Sequence, residues 1–251
     1  MKKMTALIVV LLITTFAVTN AFAVSEAAVI FLLISPHARV GGMGEAFVGL
    51  ADDVSAVYWN PAGLAFQKGR QFTSMYQPLL PQFDLQDLYY LWGAYRQSIE
   101  GLGTVGINVT YANYGQQLIT DETGPDPIGT FNSNEYAITL SYATLLSETF
   151  GVGVNVKFIR SNLSSVGAGA EKGNGQANAF AFDVGILKKN IFVKRLNFGL
   201  DISNIGPKIA YVDASQADPL PTNFKAGFAY RALDQEFNKL TLVADVNKLM
   251  V

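Results

Sequence analysis

One alternating pattern dominates residues 71–247, where a two-faced segment of about ten residues recurs about nine times. In residues 102–111, for example, Val105, Ile107 and Val109 alternate with polar or small residues. Because successive side chains of a β-strand point to opposite faces, each segment is apolar on one side only. Segments of this length with one apolar face are typical of the strands of a transmembrane β-barrel.

The connections between these segments alternate in length. The short turns are residues 98–101, 147–150, 188–194 and 233–238, and the longer connections are residues 78–85, 115–132, 161–176 and 206–222. The longer connections are rich in Gly, Pro, Asp and Ser, as solvated loops are. Short turns at one end and long loops at the other are typical of outer-membrane barrels. A soluble all-β sandwich is the alternative, but it has no reason to place every long loop at one end.

The composition indicates the same class of protein. Hydrophobic residues make up 50% of the chain and charged residues 15%, whereas charge runs near roughly 25% in an average soluble domain. No stretch after the N-terminus has the run of about 18 apolar residues that a spanning helix needs. In lipid this leaves a closed barrel as the structure that satisfies every backbone group. The net charge of −2 and the absence of a basic run give no support to nucleic-acid binding.

Residues 1–23 are predicted to be a secretory signal peptide. Two lysines precede an apolar run at residues 6–18, and the Ala-Phe-Ala sequence at residues 21–23 matches a cleavage site. A retained membrane anchor is the alternative, but the apolar run is short for a membrane span. The chain has no cysteine, which excludes disulfides, thiol catalysis and a lipid-modified cysteine. We therefore expect export to the outer membrane of a Gram-negative-type bacterium.

Residues 24–69 do not alternate, and we predict that they form a compact plug, or hatch, inside the barrel. Glycines there allow close backbone packing and positive φ angles. An aspartate can cap a short helix over residues 54–58, and a proline ends it because the residue before proline is disfavoured in the helical conformation. The residues expected to shape the hatch in these ways are Gly42, Gly44, Asp52, Asp53, Asn60 and Pro61.

The sequence of residues 38–66, ARVGGMGEAFVGLADDVSAVYWNPAGLAF, resembles the N-terminal signature of the PorV/PorQ family, which belongs with the FadL-like outer-membrane proteins. Within it, Asn60-Pro61-Ala62 corresponds to the NPA motif of the FadL hatch. Further similar segments follow, so that the resemblance covers most of the mature chain. They are residues 151–157, 182–185, 204–207, 220–221 and 244–248.

This resemblance implies an all-β, antiparallel, FadL-like transmembrane barrel of about fourteen strands with the hatch in its lumen. The sequence supplies about nine strands over residues 70–251 and stops just after a strand, without a terminal aromatic residue. An open sheet of nine strands would leave two unpaired edges in lipid. We therefore expect the chain to be a C-terminally incomplete piece of such a barrel.

Polar residues on the face opposite the apolar one are predicted to line the lumen. They include Glu135, Asn155, Lys157, Asp183, Asp201, Lys225, Arg231 and Asp245. Two of the carboxylates, Asp183 and Asp201, could perform acid–base chemistry, but mixed charges that pair with one another and with the hatch are the simpler interpretation.

No catalytic, cofactor-binding or metal-binding residue is predicted. The one histidine, His37, has no nucleophile–base arrangement around it, and without cysteine a transition-metal site is not expected. The glycines of residues 41–44 lack the lysine and the spacing of a phosphate-binding loop.

Resemblance to the PorV/PorQ family implies a non-enzymatic role in type IX secretion and in the surface attachment of cargo. Loops at residues 115–132 and 206–222 would then contact the C-terminal sorting domains of cargo and other secretion components. The alternative is a FadL-type passive transporter, in which hydrophobic small molecules pass the hatch through an apolar pocket. The inward positions of this sequence are largely polar or small. The expected partners are outer-membrane lipid and either cargo or hydrophobic small molecules, with no nucleic acid.

Overall fold

The computed structural model describes residues 27–83, 85–121, 124–164 and 175–251. The predicted signal peptide and residues 165–174 of the third long connection lie outside these residues. One antiparallel sheet of nine strands follows the order of the chain, as the alternating pattern predicts. The strands are β1 (Arg70–Pro78), β2 (Leu88–Ile99), β3 (Gly103–Asp121), β4 (Gly124–Ser147), β5 (Phe150–Asn162), β6 (Gln176–Lys188), β7 (Leu196–Ile205), β8 (Asn223–Asp234) and β9 (Lys239–Leu249).

The two faces of the sheet have the opposite polarity from those of a soluble protein. In β4, Ile138, Leu140 and Tyr142 are exposed, whereas Thr139 and Ser141 between them are buried. Strands β3, β5, β6 and β8 alternate in the same way. The alternation of the two faces along these strands is therefore as predicted, whereas contact of the apolar face with lipid stays a prediction. The apolar side chains point outward, and the small and polar side chains point to the inner face.

The connection at residues 115–132 is not a loop as predicted, but a two-stranded ribbon that continues β3 and β4. Strand β2 stops pairing with β3 at Tyr114, and β5 stops pairing with β4 at Asn134. Beyond those points residues 116–119 still pair with residues 129–132. The prediction was wrong because Gly, Pro and Asp were taken as loop signals, while two strands of a hairpin can pair without further neighbours. We call residues 115–132 the ribbon.

The connection at residues 206–222 was predicted to be a solvated outer loop, but it folds back over the inner face. Ile209 and Leu220 are buried, and the Tyr211 hydroxyl donates to Ser161 Oγ of β5 at 3.0 Å. Its Pro219 carbonyl accepts a hydrogen bond from the Ala28 N–H at 3.0 Å. This segment thus closes over the start of the hatch instead of projecting from the sheet.

The sheet does not close on itself, because within the described residues β1 pairs only with β2 and β9 only with β8. A closed barrel and the number of fourteen strands are therefore not confirmed. No helix in the described part of the chain is long and apolar enough to cross a membrane.

The described part of the hatch, residues 27–69, contains four short helices and no strand, and it covers the inner face of the sheet. The helices are the 3-10 helices η1 (Ile30–Leu33) and η2 (Pro61–Phe66) and the α-helices α1 (Ala38–Gly41) and α2 (Ala56–Trp59). Their buried side chains include Phe31, Val57 and Leu64, which join one apolar cluster with Tyr90 and Trp92 of β2. The hatch therefore supplies much of the apolar core that the polar inner face lacks.

Candidate functional site: the hatch on the inner face of the sheet

The Asn60-Pro61 corner attaches the hatch to the wall of the sheet. Asn60 is fully buried, and its amide donates to the carbonyl oxygens of Val48 at 2.9 Å and of Ile186 in β6 at 3.0 Å. Its Oδ1 accepts from the Ala62 N–H at 3.1 Å and so caps η2, which begins at Pro61. One side chain thus holds two turns of the hatch and one strand together. Alanine at this position would leave the two carbonyl oxygens without this donor.

Glycines of neighbouring strands make room for this corner. Gly153 of β5 lies opposite Gly185 of β6 in the strand register. A Cβ on Gly185 would lie 2.2 Å from Asn60 Oδ1, and one on Gly153 would lie 2.3 Å from the Pro61 carbonyl carbon. The backbone of the hatch can therefore approach these strands only where side chains are missing.

A second glycine pair repeats the arrangement two strands further along the sheet. Gly199 of β7 lies opposite Gly227 of β8, and a Cβ on Gly199 would lie 2.0 Å from the Val48 carbonyl oxygen. We call Gly153, Gly185, Gly199 and Gly227 the glycine cradle. That these four glycines make room for the hatch backbone was not predicted from the sequence, although glycines at interior strand positions often mark a close backbone approach.

Asp245, predicted to line the lumen, anchors the other side of the same hatch turn. Its Oδ2 accepts hydrogen bonds from the backbone N–H groups of Phe47 at 2.7 Å and of Val48 at 2.8 Å. Asn155 of β5 adds a further attachment, because its amide donates to the Val57 carbonyl of α2 at 2.9 Å. Polar side chains of the wall therefore bind hatch backbone groups that would otherwise be buried without partners.

Arg39 joins two parts of the hatch. Its guanidinium pairs with Asp52 at 2.7 Å and also with Asp53. Hydrogen bonding to Asp52 raises the pKa of Arg39. Burial alone would raise the pKa of Asp53, but hydrogen bonds from Ser55 and Arg39 outweigh it and lower that pKa. The Ser55 N–H donates to Asp53 Oδ1 at 2.8 Å, just before α2 begins.

Of the two roles expected for the hatch glycines, close packing and positive φ angles, Gly42 and Gly44 do not show close packing. A Cβ on Gly44 would have no neighbour within 4 Å, and one on Gly42 would lie 3.4 Å from the Ala38 carbonyl oxygen. Gly44 has a φ of 64°, which favours glycine for conformational reasons. The close contact within the hatch is made instead by Gly63, whose Cβ would lie 2.2 Å from the Ala51 carbonyl oxygen.

Three of the predicted inward polar residues form one buried network with Asn204. Lys157 pairs with Asp183 at 3.2 Å, and Asn155 donates to the other carboxylate oxygen of Asp183 at 2.7 Å. The Asn204 N–H donates to Asp183 Oδ1 at 2.7 Å. Asp183 is thus held by three donors from β5 and β7, so that the network joins β5, β6 and β7.

Two further inward polar residues, Glu135 and Arg231, lie apart from this network. Glu135 accepts hydrogen bonds from the hydroxyls of Tyr114 and Ser161, both at 2.6 Å. Arg231 lies exposed at the end of β8 and pairs with Asp234 at 3.1 Å. The centroid of the His37 ring lies 6.0 Å from the centroid of the Trp92 ring. Within the described ranges, no group of acidic residues or histidine could hold a metal ion.

A cavity of about 240 Å³ separates α2 from strands β7 to β9. Lys225 lines it, opposite Asp201 in the strand register, and its ammonium lies 4.9 Å from the centre of the Trp59 ring. In the part of the chain that the structure describes, the Trp59 indole N–H and both carboxylate oxygens of Asp201 have no hydrogen-bond partner. The polar lining is that of a hydrated cavity, because buried polar groups of this kind are usually satisfied by water.

A family model described as type IX secretion system protein PorV matches residues 17–251. The comparison with curated proteins found no match for the chain. The family is one of secretion-system proteins, not of enzymes. Because the match spans nearly the whole chain, the protein belongs to the PorV family, and this membership implies involvement in type IX secretion.

Proposed function

We propose that this protein is a non-enzymatic outer-membrane component of type IX secretion that binds the C-terminal sorting domains of cargo and takes part in their surface attachment. The observation that carries the proposal is the polarity of the sheet, with apolar side chains outside and a polar inner face covered by the hatch. An outward apolar face suits contact with lipid, and a covered inner face suits a plugged barrel.

The proposed location is the outer membrane, reached after cleavage of the signal peptide at residues 1–23. The short turns would then face the periplasm, and the ribbon would face the outside, as in other outer-membrane barrels. Membership of a type IX secretion family supports this location.

The ribbon is the better candidate for the cargo-binding surface. Leu118 and Ile128 of the ribbon are 63% and 65% exposed, although they lie beyond the strands that would contact lipid. Exposed apolar side chains outside the membrane zone are a feature of protein-binding surfaces. The segment at residues 206–222 offers less surface, because it packs on the hatch and buries Ile209 and Leu220.

FadL-type transport of hydrophobic small molecules has less support. Such a ligand needs an apolar pocket next to the hatch. The cavity beside α2 is instead lined by Lys157, Lys225, Asn204 and Asn223 together with a few apolar side chains.

A double variant, Leu118→Asp with Ile128→Asp, tests the cargo-binding role in the full-length protein. We expect normal assembly, because the ribbon lies beyond the other strands, together with loss of binding to a purified cargo sorting domain and loss of cargo from the cell surface. Phe237→Asp is the matched control, because Phe237 is 89% exposed at the short-turn end of the sheet. Wild-type cargo binding by the double variant would refute the assignment of the ribbon.

A further inference from the structure

The turn between β6 and β7, residues 189–195, is strained and well fixed. Nine non-glycine residues with positive φ occur in the described ranges, and three of them, Asn190, Phe192 and Arg195, lie in this turn. Hydrogen bonds hold it in place: the Arg195 N–H donates to Asn190 Oδ1 at 2.8 Å, and the Arg231 N–H of β8 donates to the Arg195 carbonyl at 3.0 Å. Such backbone strain persists only where surrounding contacts determine it. The turn therefore places Arg195 next to Arg231.

A cavity of about 210 Å³ lies between this turn, the hatch and the ends of β7 to β9. Three cationic residues from the turn and from β8 line it: Lys189, Arg195 and Arg231. Asn197 and Thr241 add an amide and a hydroxyl to the lining. Since a water molecule occupies roughly 30 Å³ in the liquid, the cavity has room for a small polyatomic ion together with several waters.

The cations around this cavity are poorly neutralised. In the described part of the chain, Arg231 has one carboxylate partner, Asp234, and neither Lys189 nor Arg195 forms an ion pair. The carboxylate of Asp52 is near enough to act on Lys189, but it is already paired with Arg39.

Lys189 is held in an unusual environment for an ammonium group. Its Nζ lies 4.0 Å from the centre of the Phe66 ring of the hatch. Burial has the largest effect on the pKa of Lys189 and lowers it, and repulsion from Arg231 lowers it further. An anion in the cavity would offset the loss of hydration at the buried Lys189 ammonium. Its negative charge would also reduce the repulsion between Lys189 and Arg231.

We propose that this cavity binds a phosphate group, with Arg195 and Arg231 donating to its oxygens and Lys189 supplying a third positive charge. Guanidinium groups match the geometry of phosphate oxygens, and an ammonium adds a compact charge. The phosphate belongs either to a free anion or to the headgroup of a phospholipid in the adjacent leaflet. The lipid source and the periplasmic position of the site rest on the proposed membrane location, whereas phosphate binding itself does not.

Titration calorimetry of the full-length protein in a neutral detergent, with inorganic phosphate at low ionic strength, tests the site. We expect one saturable site, with affinity lowered at least about tenfold in Lys189→Gln, which removes a positive charge, and in Arg195→Gln, which also removes a charge-assisted hydrogen bond. Arg195→Lys keeps the charge and should lower the affinity less. Lys208→Gln is the matched control, because Lys208 is an exposed lysine in the connection at the opposite end of the sheet. Heat-modifiable gel mobility checks that each variant is folded.

Three outcomes would overturn the proposal: no saturable binding by the wild type, equal affinity in wild type and a folded Arg195→Gln variant, or equal affinity for acetate and phosphate. Mixed micelles containing phosphatidylglycerol distinguish a free phosphate anion from a lipid headgroup as the ligand. If they displace inorganic phosphate, the site accepts a lipid headgroup, and if they do not, it accepts the free anion. Either result places phosphate in the cavity. Cargo binding by the ribbon is measured separately, so failure of one proposal leaves the other standing.

Discussion

Replacing Gly153 with alanine is expected to push the hatch away from the inner face of the sheet. A Cβ at this position would lie 2.3 Å from the Pro61 carbonyl carbon and 2.4 Å from the Ala62 nitrogen. Both neighbours are backbone atoms, so no side-chain rotation relieves the overlap, and the corner has to move by about 1 Å. Gly153 therefore controls how closely the hatch and β5 can pack.

The expected cost follows from two effects. Overpacking of a filled site costs about 1–3 kcal/mol. The movement also weakens the buried hydrogen bonds of Asn60 to Val48 and Ile186, which adds about 1–3 kcal/mol if a buried group loses its partner. We therefore expect Gly153→Ala to lower the free energy of unfolding by about 2–6 kcal/mol.

Gly93→Ala is the matched control. A Cβ on Gly93 of β2 would meet only the Thr73 carbonyl oxygen at 4.0 Å, which is an ordinary contact. Alanine there is expected to be neutral or to stabilise the protein by up to about 1 kcal/mol, because it restricts the unfolded chain. The two substitutions add the same methyl group to a strand but should change stability in opposite directions.

Urea unfolding of the full-length protein in phospholipid vesicles measures both variants. The two tryptophans, Trp59 of the hatch and Trp92 of β2, are both buried and report on the interface between hatch and sheet. Limited proteolysis should cut the hatch faster in Gly153→Ala only. Coincident unfolding curves and equal protection of the hatch in the two variants would show that the cradle does not position the corner.

Three further outcomes are expected. Asn60→Ala should leave the strands assembled but make the hatch sensitive to protease, and a hatch as resistant as that of the wild type would contradict the anchoring role. Ile138→Arg and Val154→Arg should each cost about 2–4 kcal/mol near the membrane midplane and lower the yield of heat-modifiable protein, whereas Ile138→Val should not. The folded-state pKa of Asp53 lies below its ordinary value near 3.8, so its stabilising contribution is present above that value and is lost as the pH falls through the lowered pKa. Acidification should therefore increase proteolysis of the wild-type hatch, and Asp53→Asn should reduce this dependence on pH.

The strands and their faces could be predicted because a period of two residues is a local property. Ile138 and Leu140 are separated by Thr139, and in a strand this spacing alone places the two apolar side chains on one face and Thr139 on the other. The apolar face is the exposed one and the polar face is the buried one, as the composition of the chain indicates. No long-range contact is needed for either inference.

The two long connections could not be assigned in this way, because their structure depends on what they meet. The segment at residues 206–222 folds inward because Ile209 and Leu220 find apolar neighbours and Tyr211 reaches Ser161, which lies 50 positions earlier in the chain. The ribbon depends on register pairing between β3 and β4, although Gly124, Pro125 and Pro127 lie at the start of β4. Composition alone indicates a loop in both cases.

For the site, the sequence indicated the Asn60-Pro61 corner but not its partners. Gly153 and Gly185 are interior strand glycines, and they become neighbours only once β5 and β6 are paired in register. The glycine cradle could have been predicted from the sequence if consecutive strands had been paired in register, because its glycines then lie opposite one another. That Asp245 binds the Phe47 N–H could not be inferred, because nothing local links residues so far apart.

The attachment of the hatch has a consequence for the order of folding. The hydrogen bond between Asn60 and Ile186 joins residues 126 positions apart, and that between Phe47 and Asp245 joins residues 198 positions apart. Contacts of such high sequence separation form slowly, because a long loop must close before they contribute any stability. The hatch is synthesised first, yet the strands that bind it are synthesised last. Until β6 to β9 are present, its buried amides and carbonyls lack their partners, and its apolar side chains remain exposed, which favours aggregation or binding by a chaperone.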